Sequence, residues 1–203
     1  MDNFNQGFSD PDCALVEETL RGNVEAFGQL IDRHSRRVHR TLTGILNDHE
    51  DARDVMQDTF LKAFQYLYSF ERRSKFSTWL ISIASKTALQ RLRERKPMES
   101  LDEYEDTDGQ SRARQIRALT HSPEDLYSQA QVRAVVEKAV NRLPAKYRTV
   151  VILRYIEQRS TEDAAALLGL GIPALKARLL RGKLLLREGL SQHLLRNAGA
   201  MAR

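Results

Sequence analysis

Cysteine is almost absent from these 203 residues: Cys13 is the only one. That excludes an internal disulfide and a cysteine-rich zinc site, and a reducing cytoplasm is the simplest setting. Proline and glycine are scarce, at five and ten residues, which leaves room for long helices. No run of about 18 apolar residues occurs, so no membrane span is expected. Met1 to Asp12 is polar and acidic and lacks the basic start and apolar core of a secretion signal. Catalytic constellations are missing as well. His34, His39, His49, His121 and His193 are scattered, and no metal-spaced pair, nucleophile elbow or phosphate loop occurs. Neither an enzyme nor a cofactor is therefore expected.

Charge, by contrast, is plentiful. Asp, Glu, Lys and Arg make up 29% of the chain, with a formal net charge of +5 and a sequence pI near 9.5. A basic balance favours anionic partners without specifying one. The length allows one domain or two small ones.

Helical periodicity is clearest between Ala52 and Lys96. Apolar or small residues recur at Ala52, Val55, Met56, Thr59, Phe60, Ala63, Phe64 and Leu67, the spacing of a helix with one buried face. Phe76, Trp79, Leu80, Ile83, Ala84, Thr87 and Ala88 repeat it in a second helix. Opposite the first core face stand Asp54, Gln57, Asp58, Leu61 and Gln65, an acidic surface with one exposed leucine that suits a basic protein partner. The loop Ser69 to Lys75 and the second helix carry the other sign. From Glu71 to Lys96 the positive residues are Arg72, Arg73, Lys75, Lys86, Arg91, Arg93, Arg95 and Lys96, against Glu71 and Glu94. Basic residues beside the aromatics Phe70 and Phe76 suit a nucleic-acid backbone with bases that stack.

Two further helices precede this pair. A short one has Leu15, Val16, Thr19 and Leu20 on one face and ends at Arg21-Gly22-Asn23. Asn23 then caps a long one with Phe27, Leu30, Ile31, His34, Val38, Leu42 and Ile45 in a stripe. His34 lies within that stripe and reads as a satisfied histidine rather than a ligand. Four helices packed by these faces make one bundle, residues 1–96.

Residues 97–121 read as an acidic linker. Ser122-Pro123-Glu124-Asp125 has the chemistry of a helix start, and the stripe that follows is Leu126, Ala130, Val132 or Arg133, Val136, Ala139, Val140 and Leu143. Ser160 caps a short helix at Thr161, Gly169-Leu170-Gly171 turns the chain, and Ile172-Pro173 begins a basic helix. That order is a helix-turn-helix pattern over Thr161 to Leu180, whose second helix would lie in the major groove. From Asn141 to Arg203 there are twelve positive residues against four negative, so this part is far more basic than the whole. The fold class expected is all-α, with two small helical domains, 1–96 and 122–203, joined by a flexible linker. On these patterns alone, a freestanding helix-turn-helix regulator remains an alternative.

The chain resembles an extracytoplasmic-function sigma factor. Asp51 to Phe60 looks like the core-polymerase-binding helix of that family, and Phe76 to Ala84 is similar to its promoter-melting helix. Leu143-Pro144 with Arg148, Ser160 to Gly169, and Leu175 to Leu179 resemble its second domain. Arg53 replaces an acid, Lys86 an asparagine and Gln90 often an aspartate. Ala164 replaces a branched residue, Pro173-Ala174-Leu175 a Gly-Thr-Val, and Ala177 a small polar residue.

The resemblance implies a transcription initiation factor of the cytoplasm that brings promoter recognition and strand opening to core RNA polymerase (the beta and beta-prime subunits). Asp54, Gln57, Asp58 and Leu61 would dock on the polymerase. Phe70, Arg72, Arg73, Lys75, Phe76, Lys86 and Arg91 would engage the −10 promoter DNA, and Lys176, Ala177, Arg178, Leu180 and Arg181 the −35 element. The lost threonine removes a phosphate contact, so weak or unusual −35 recognition is expected. Anti-sigma proteins are common partners in the family.

Overall fold

A computed structural model describes residues 10–95 and 129–201, and every described element is helical. The first module runs α1 (Cys13–Leu20), α2 (Val24–Leu46), α3 (His49–Gln65) and α4 (Phe76–Arg95). Side-chain caps set its boundaries. Asn23 accepts the Ala26 N–H at 3.3 Å to start α2. Asn47 ends it in the left-handed region, and Asp48 then accepts the N–H groups of Glu50 and Asp51 at 3.0 and 3.1 Å to start α3. Each cap satisfies donors that a helix N-terminus leaves open.

The stripes meet as their spacing requires. Phe27, Leu30, Val38, Leu42 and Ile45 of α2 pack on Val55, Phe60 and Ala63 of α3 and on Phe76, Leu80 and Ala84 of α4. His34 is buried with Nε2 2.7 Å from Asp12 Oδ2, a satisfied core histidine as expected. Phe64, expected in the core, is 43% exposed: its ring meets Phe27 edge-on at 5.0 Å while its other side faces solvent.

The second module runs α5 (Gln129–Asn141), α6 (Ala145–Val151), a π-helical turn (Ile152–Ile156), α7 (Thr161–Leu168) and α8 (Ile172–Met201). The expected start at Ser122 and the linker lie outside the described residues. Ser160 accepts the Asp163 N–H at 2.9 Å, and Gly169 ends α7 at φ 67°, where a side chain would be strained. The stripe on α5 is only partly buried: Val140 is covered, whereas Val132 and Val136 are exposed. A small core of Val150, Leu153, Ala164, Ala165 and Leu175 holds the helix-turn-helix together. Gly182 lets α8 approach α6; a Cβ there would stand 3.0 Å from Val151 Cγ2.

The modules pack against each other, which the sequence did not signal. Val140, Leu143, Val151 and Ile152 join the core of the first module. At Gly44 on α2 the backbone comes so near that a Cβ would lie 2.9 Å from Ile152 Cδ1. In the π turn the Glu157 N–H reaches the Ile152 carbonyl at 2.9 Å. The Glu157 side chain, fully buried, accepts from Arg37 Nε and Nη2 at 3.2 and 2.9 Å and from the Thr41 hydroxyl. Arg148 donates to the Ile45 carbonyl at 3.1 Å, and Arg159 donates to the carbonyl of Thr78 on α4. Burial pulls both guanidinium groups below their ordinary pKa. Removing charge from water is costly, and these contacts offset that cost at the seam.

Candidate protein and nucleic-acid interfaces

Asp54, Gln57, Asp58 and Leu61 all face solvent on one side of α3, with Leu61 57% exposed. The face follows from helical spacing: positions three and four apart stack on one side. Gln65 and the half-exposed Phe64 extend it toward the end of the helix. Phe64 was missed because its spacing fits the core stripe. Acidic side chains thus stand beside two exposed apolar ones, Leu61 and Phe64.

The loop before α4 differs from the expectation in a specific way. Phe70 is 8% exposed and Phe76 0%. Their rings lie edge-on at 5.8 Å, and both pack on Trp79, with centroids at 5.3 and 5.7 Å. Neither therefore offers a free face for stacking a base. They form the floor under the loop, and apolar burial explains why aromatics bracket it. Trp79, read as a packing residue, is partly buried against the same core.

The cations of this region divide into those tied to another helix and those held at the surface. Arg72, at φ 56°, donates to Glu17 Oε1 on α1 at 2.7 Å. Arg91 reaches Asp51 Oδ1 at 3.3 Å, and Arg95 pairs with Asp48 and Asp51. Arg73 meets only exposed Glu71 at 2.9 Å, and Lys75 and Lys86 are exposed. Lys86 also borders a shallow groove of about 310 Å³ between α3 and α4, with Lys62, Tyr66, Ile83, Thr87 and Gln90. Lys62 and the exposed Tyr66 were not anticipated there; a lysine at the end of an acidic helix carries no distinct signal.

The chain reaches this loop from its own N-terminus. Asp10 accepts the N–H of Phe76, the first residue of α4, through Oδ2 at 2.6 Å, and the N–H of Asp12 through Oδ1 at 3.2 Å. Asp12, itself buried, holds Arg33 at 2.5 Å and His34 at 2.7 Å on α2. The polar, acidic composition of this stretch carries no sign of those contacts.

On α8, Lys176, Ala177 and Arg181 are exposed, Arg178 is partly covered, and Leu180 is 61% exposed. Leu175 and Leu179 point inward and fix the helix against α6 and α7. The five candidates thus sit on the accessible part of one helix just after its turn. Lys183 lies over the Tyr155 ring at 5.2 Å, which ties the next turn of α8 to the π segment. Among the described residues, no group of three or more metal-ligating side chains converges and no helix is long and apolar enough to cross a membrane.

The comparisons agree with both modules. Sigma-70 region 2 matches residues 30–97 and Sigma-70, region 4 matches residues 133–186. ECF RNA polymerase sigma factor SigW of Bacillus subtilis is 31% identical over 86% of this chain and 94% of its own length. RNA polymerase sigma-H factor of Pseudomonas aeruginosa is 31% identical over 93% and 98%. Among solved structures, the sigma factor RpoE of Bartonella quintana, in complex with the anti-sigma factor NepR, aligns with a TM-score of 0.56 at 29% identity, covering 81% of this chain and 96% of that one. CnrH in complex with the cytosolic domain of CnrY aligns at 0.55 with 26% identity, covering 90% and 99%. A freestanding helix-turn-helix regulator would leave the match over residues 30–97 without a reason. With both regions present in order, the chain belongs to the sigma-70 family as an extracytoplasmic-function sigma factor, an alternative sigma factor for transcription initiation.

Proposed function

We propose that the chain docks on core RNA polymerase through Asp54, Gln57, Asp58 and Leu61, with Phe64 extending the contact. The exposed acidic and apolar face of α3 is the observation that carries this reading. Arg73, Lys75 and Lys86, joined by Lys62 and Tyr66, hold the opened −10 strand. Arg91 is already paired with Asp51, so its contribution is smaller. Phe70 and Phe76 support the loop from beneath. Lys176, Ala177, Arg178, Leu180 and Arg181 read the −35 element, with the lysine and arginines sharing phosphate and base-edge contacts. Strand opening draws on binding energy alone, as in base flipping, so the protein acts as a cytoplasmic initiation factor and not as an enzyme. An anti-sigma protein is a further partner, as NepR is for RpoE in the solved complex.

The two promoter elements lie on the order of 25 base pairs apart, roughly 85 Å of duplex at ~3.4 Å per base pair. The longest described helix, α8 with 30 residues, reaches only about 45 Å, so modules held by one core and by the Arg159–Thr78 bond fall short of that distance. Holoenzyme formation therefore parts the seam, and the polymerase holds the two readers at the promoter spacing. A gel shift on a transcribed promoter tests the reading. The protein alone should bind duplex weakly and the holoenzyme tightly, whereas equal binding by the protein alone would contradict it.

A further inference from the structure

The N-terminal acids have no place in docking or in DNA contact, yet they are among the best-buried carboxylates of the first module. Asp10 spans 66 residues to accept the first N–H of α4 at 2.6 Å in a buried contact. A helix start leaves such donors open, and a carboxylate there also opposes the helix dipole favourably. This bond fixes where α4 begins, and hence where the loop 70–75 ends. Asp12 fastens the same segment to α2 through Arg33 and His34.

A second tie reaches the middle of the loop. Arg72 sits in the left-handed region at φ 56°, a conformation that a non-glycine residue holds only with support. That support is Glu17 of α1, 2.7 Å from its guanidinium. At the near end, the Phe70 N–H bonds the Leu67 carbonyl at 3.1 Å and its ring is buried. The loop is thus tied at both ends and at its centre, and Arg73 and Lys75 project from between the ties.

We propose that Asp10 and Glu17 are positioning residues for strand capture, and that Arg72 belongs to this clamp rather than to the phosphate-contacting set. The inference rests on the reading of the loop as a DNA surface. The clamp holds Arg73 and Lys75 in the geometry that receives the opened strand, so the binding energy is not spent on ordering the loop.

The test uses holoenzyme made from the full chain and core polymerase. The probe is a fluorescein-labelled non-template strand of a promoter that wild-type holoenzyme transcribes in vitro, and binding is read across a salt series. Asp10→Ala should weaken capture about tenfold, the scale of one charge-assisted hydrogen bond. Asp10→Asn, which keeps one acceptor oxygen, should recover part of that loss. Glu17→Ala and Arg72→Ala, both changes at half-exposed side chains, should weaken capture several-fold.

All four variants should keep wild-type affinity for core polymerase and an unchanged salt slope. Arg73→Ala, a phosphate contact, should lower the slope by about 0.7. Wild-type capture by Glu17→Ala overturns the clamp, as does tighter capture through the lost negative charge. A lower slope for Arg72→Ala returns that residue to the phosphate set. Asp10→Asn performing no better than Asp10→Ala, or a parallel loss of core affinity, makes Asp10 a plain stability residue. If Arg73→Ala and Lys75→Ala both leave capture unchanged, the loop is not the DNA surface and the clamp falls with it.

Discussion

Replacing Gly44 by leucine should strengthen one module and open the seam between the two. Gly44 lies within α2, and among the described residues a Cβ there meets only Ile152, at 2.9 Å from Cδ1 and 3.7 Å from Cγ1. No described atom of the first module stands within 4 Å of that position outside the helix itself. Within α2, exchanging glycine for a good helix former is worth about 1 kcal/mol. Across the seam the sign reverses. Carbon atoms pack best at about 3.5–4.0 Å, so a lone methyl asks Ile152 to retreat by several tenths of an ångström. Leucine places more carbons where the fully buried Ile152 already stands. Overpacking of that kind costs about 1–3 kcal/mol, a shift of roughly 5- to 150-fold toward parted modules. Small-angle scattering and hydrogen exchange of the 148–159 segment read the effect. Gly44→Leu should raise the radius of gyration and the exchange rate of that segment, with Gly44→Ala between it and wild type, while α2 and α3 keep their protection. Equal protection of 148–159 in wild type and Gly44→Leu would refute the seam. So would a loss of protection in α2.

Other consequences are independent of the seam. Asp54→Ala combined with Gln57→Ala should weaken binding to core polymerase by about tenfold, a few tenths to 1 kcal/mol per rim contact with cooperation between neighbours, and leave the melting temperature within a degree or two, as usual for exposed sites. A pull-down with unchanged affinity would count against that face. Lys176→Ala with Arg181→Ala should abolish protection of the −35 element in a footprint and reduce the salt slope by about 2, one for each lost phosphate contact; an unaltered footprint would show that α8 was misassigned. Asp48→Ala should lower the urea midpoint near neutral pH. The N–H of Asp51, ahead of the other contacts, holds the Asp48 carboxyl below its ordinary pKa. Its contribution is therefore complete above the unfolded value and disappears as pH falls through the lowered one. Wild type and variant should then differ less in acid, and a constant difference would contradict the cap.

Much of this was readable from spacing because amphipathic helices and their caps are local. Phe64 apart, the stripes of α2, α3 and α4, the caps Asn23 and Ser160, and the turn at Gly169 stand where side-chain chemistry places them. The outward face of α3 follows from the same periodicity. What stayed hidden depends on distant partners. Gly44, Arg148, Glu157 and Arg159 form the seam, yet Glu157 meets Arg37 across 120 positions and none of the four belongs to a stripe. Asp10 and Asp12 look like any acidic lead until Phe76 and His34 are placed beside them. Phe70 and Phe76 show that an aromatic next to a basic loop has the same signature whether it floors the loop or faces a base. Val132 and Val136 fit a stripe that α5 leaves open to solvent.

Run-off transcription is the most direct measurement. Purified protein is added to bacterial core polymerase freed of other sigma factors, with a genomic fragment library as template, and transcript starts are mapped. Discrete starts that share paired upstream elements, appear only when the protein is added, and vanish with Asp54→Ala and Gln57→Ala are the expected result. No initiation on any fragment, together with no stable association with the polymerase, would contradict an initiation role for these two modules.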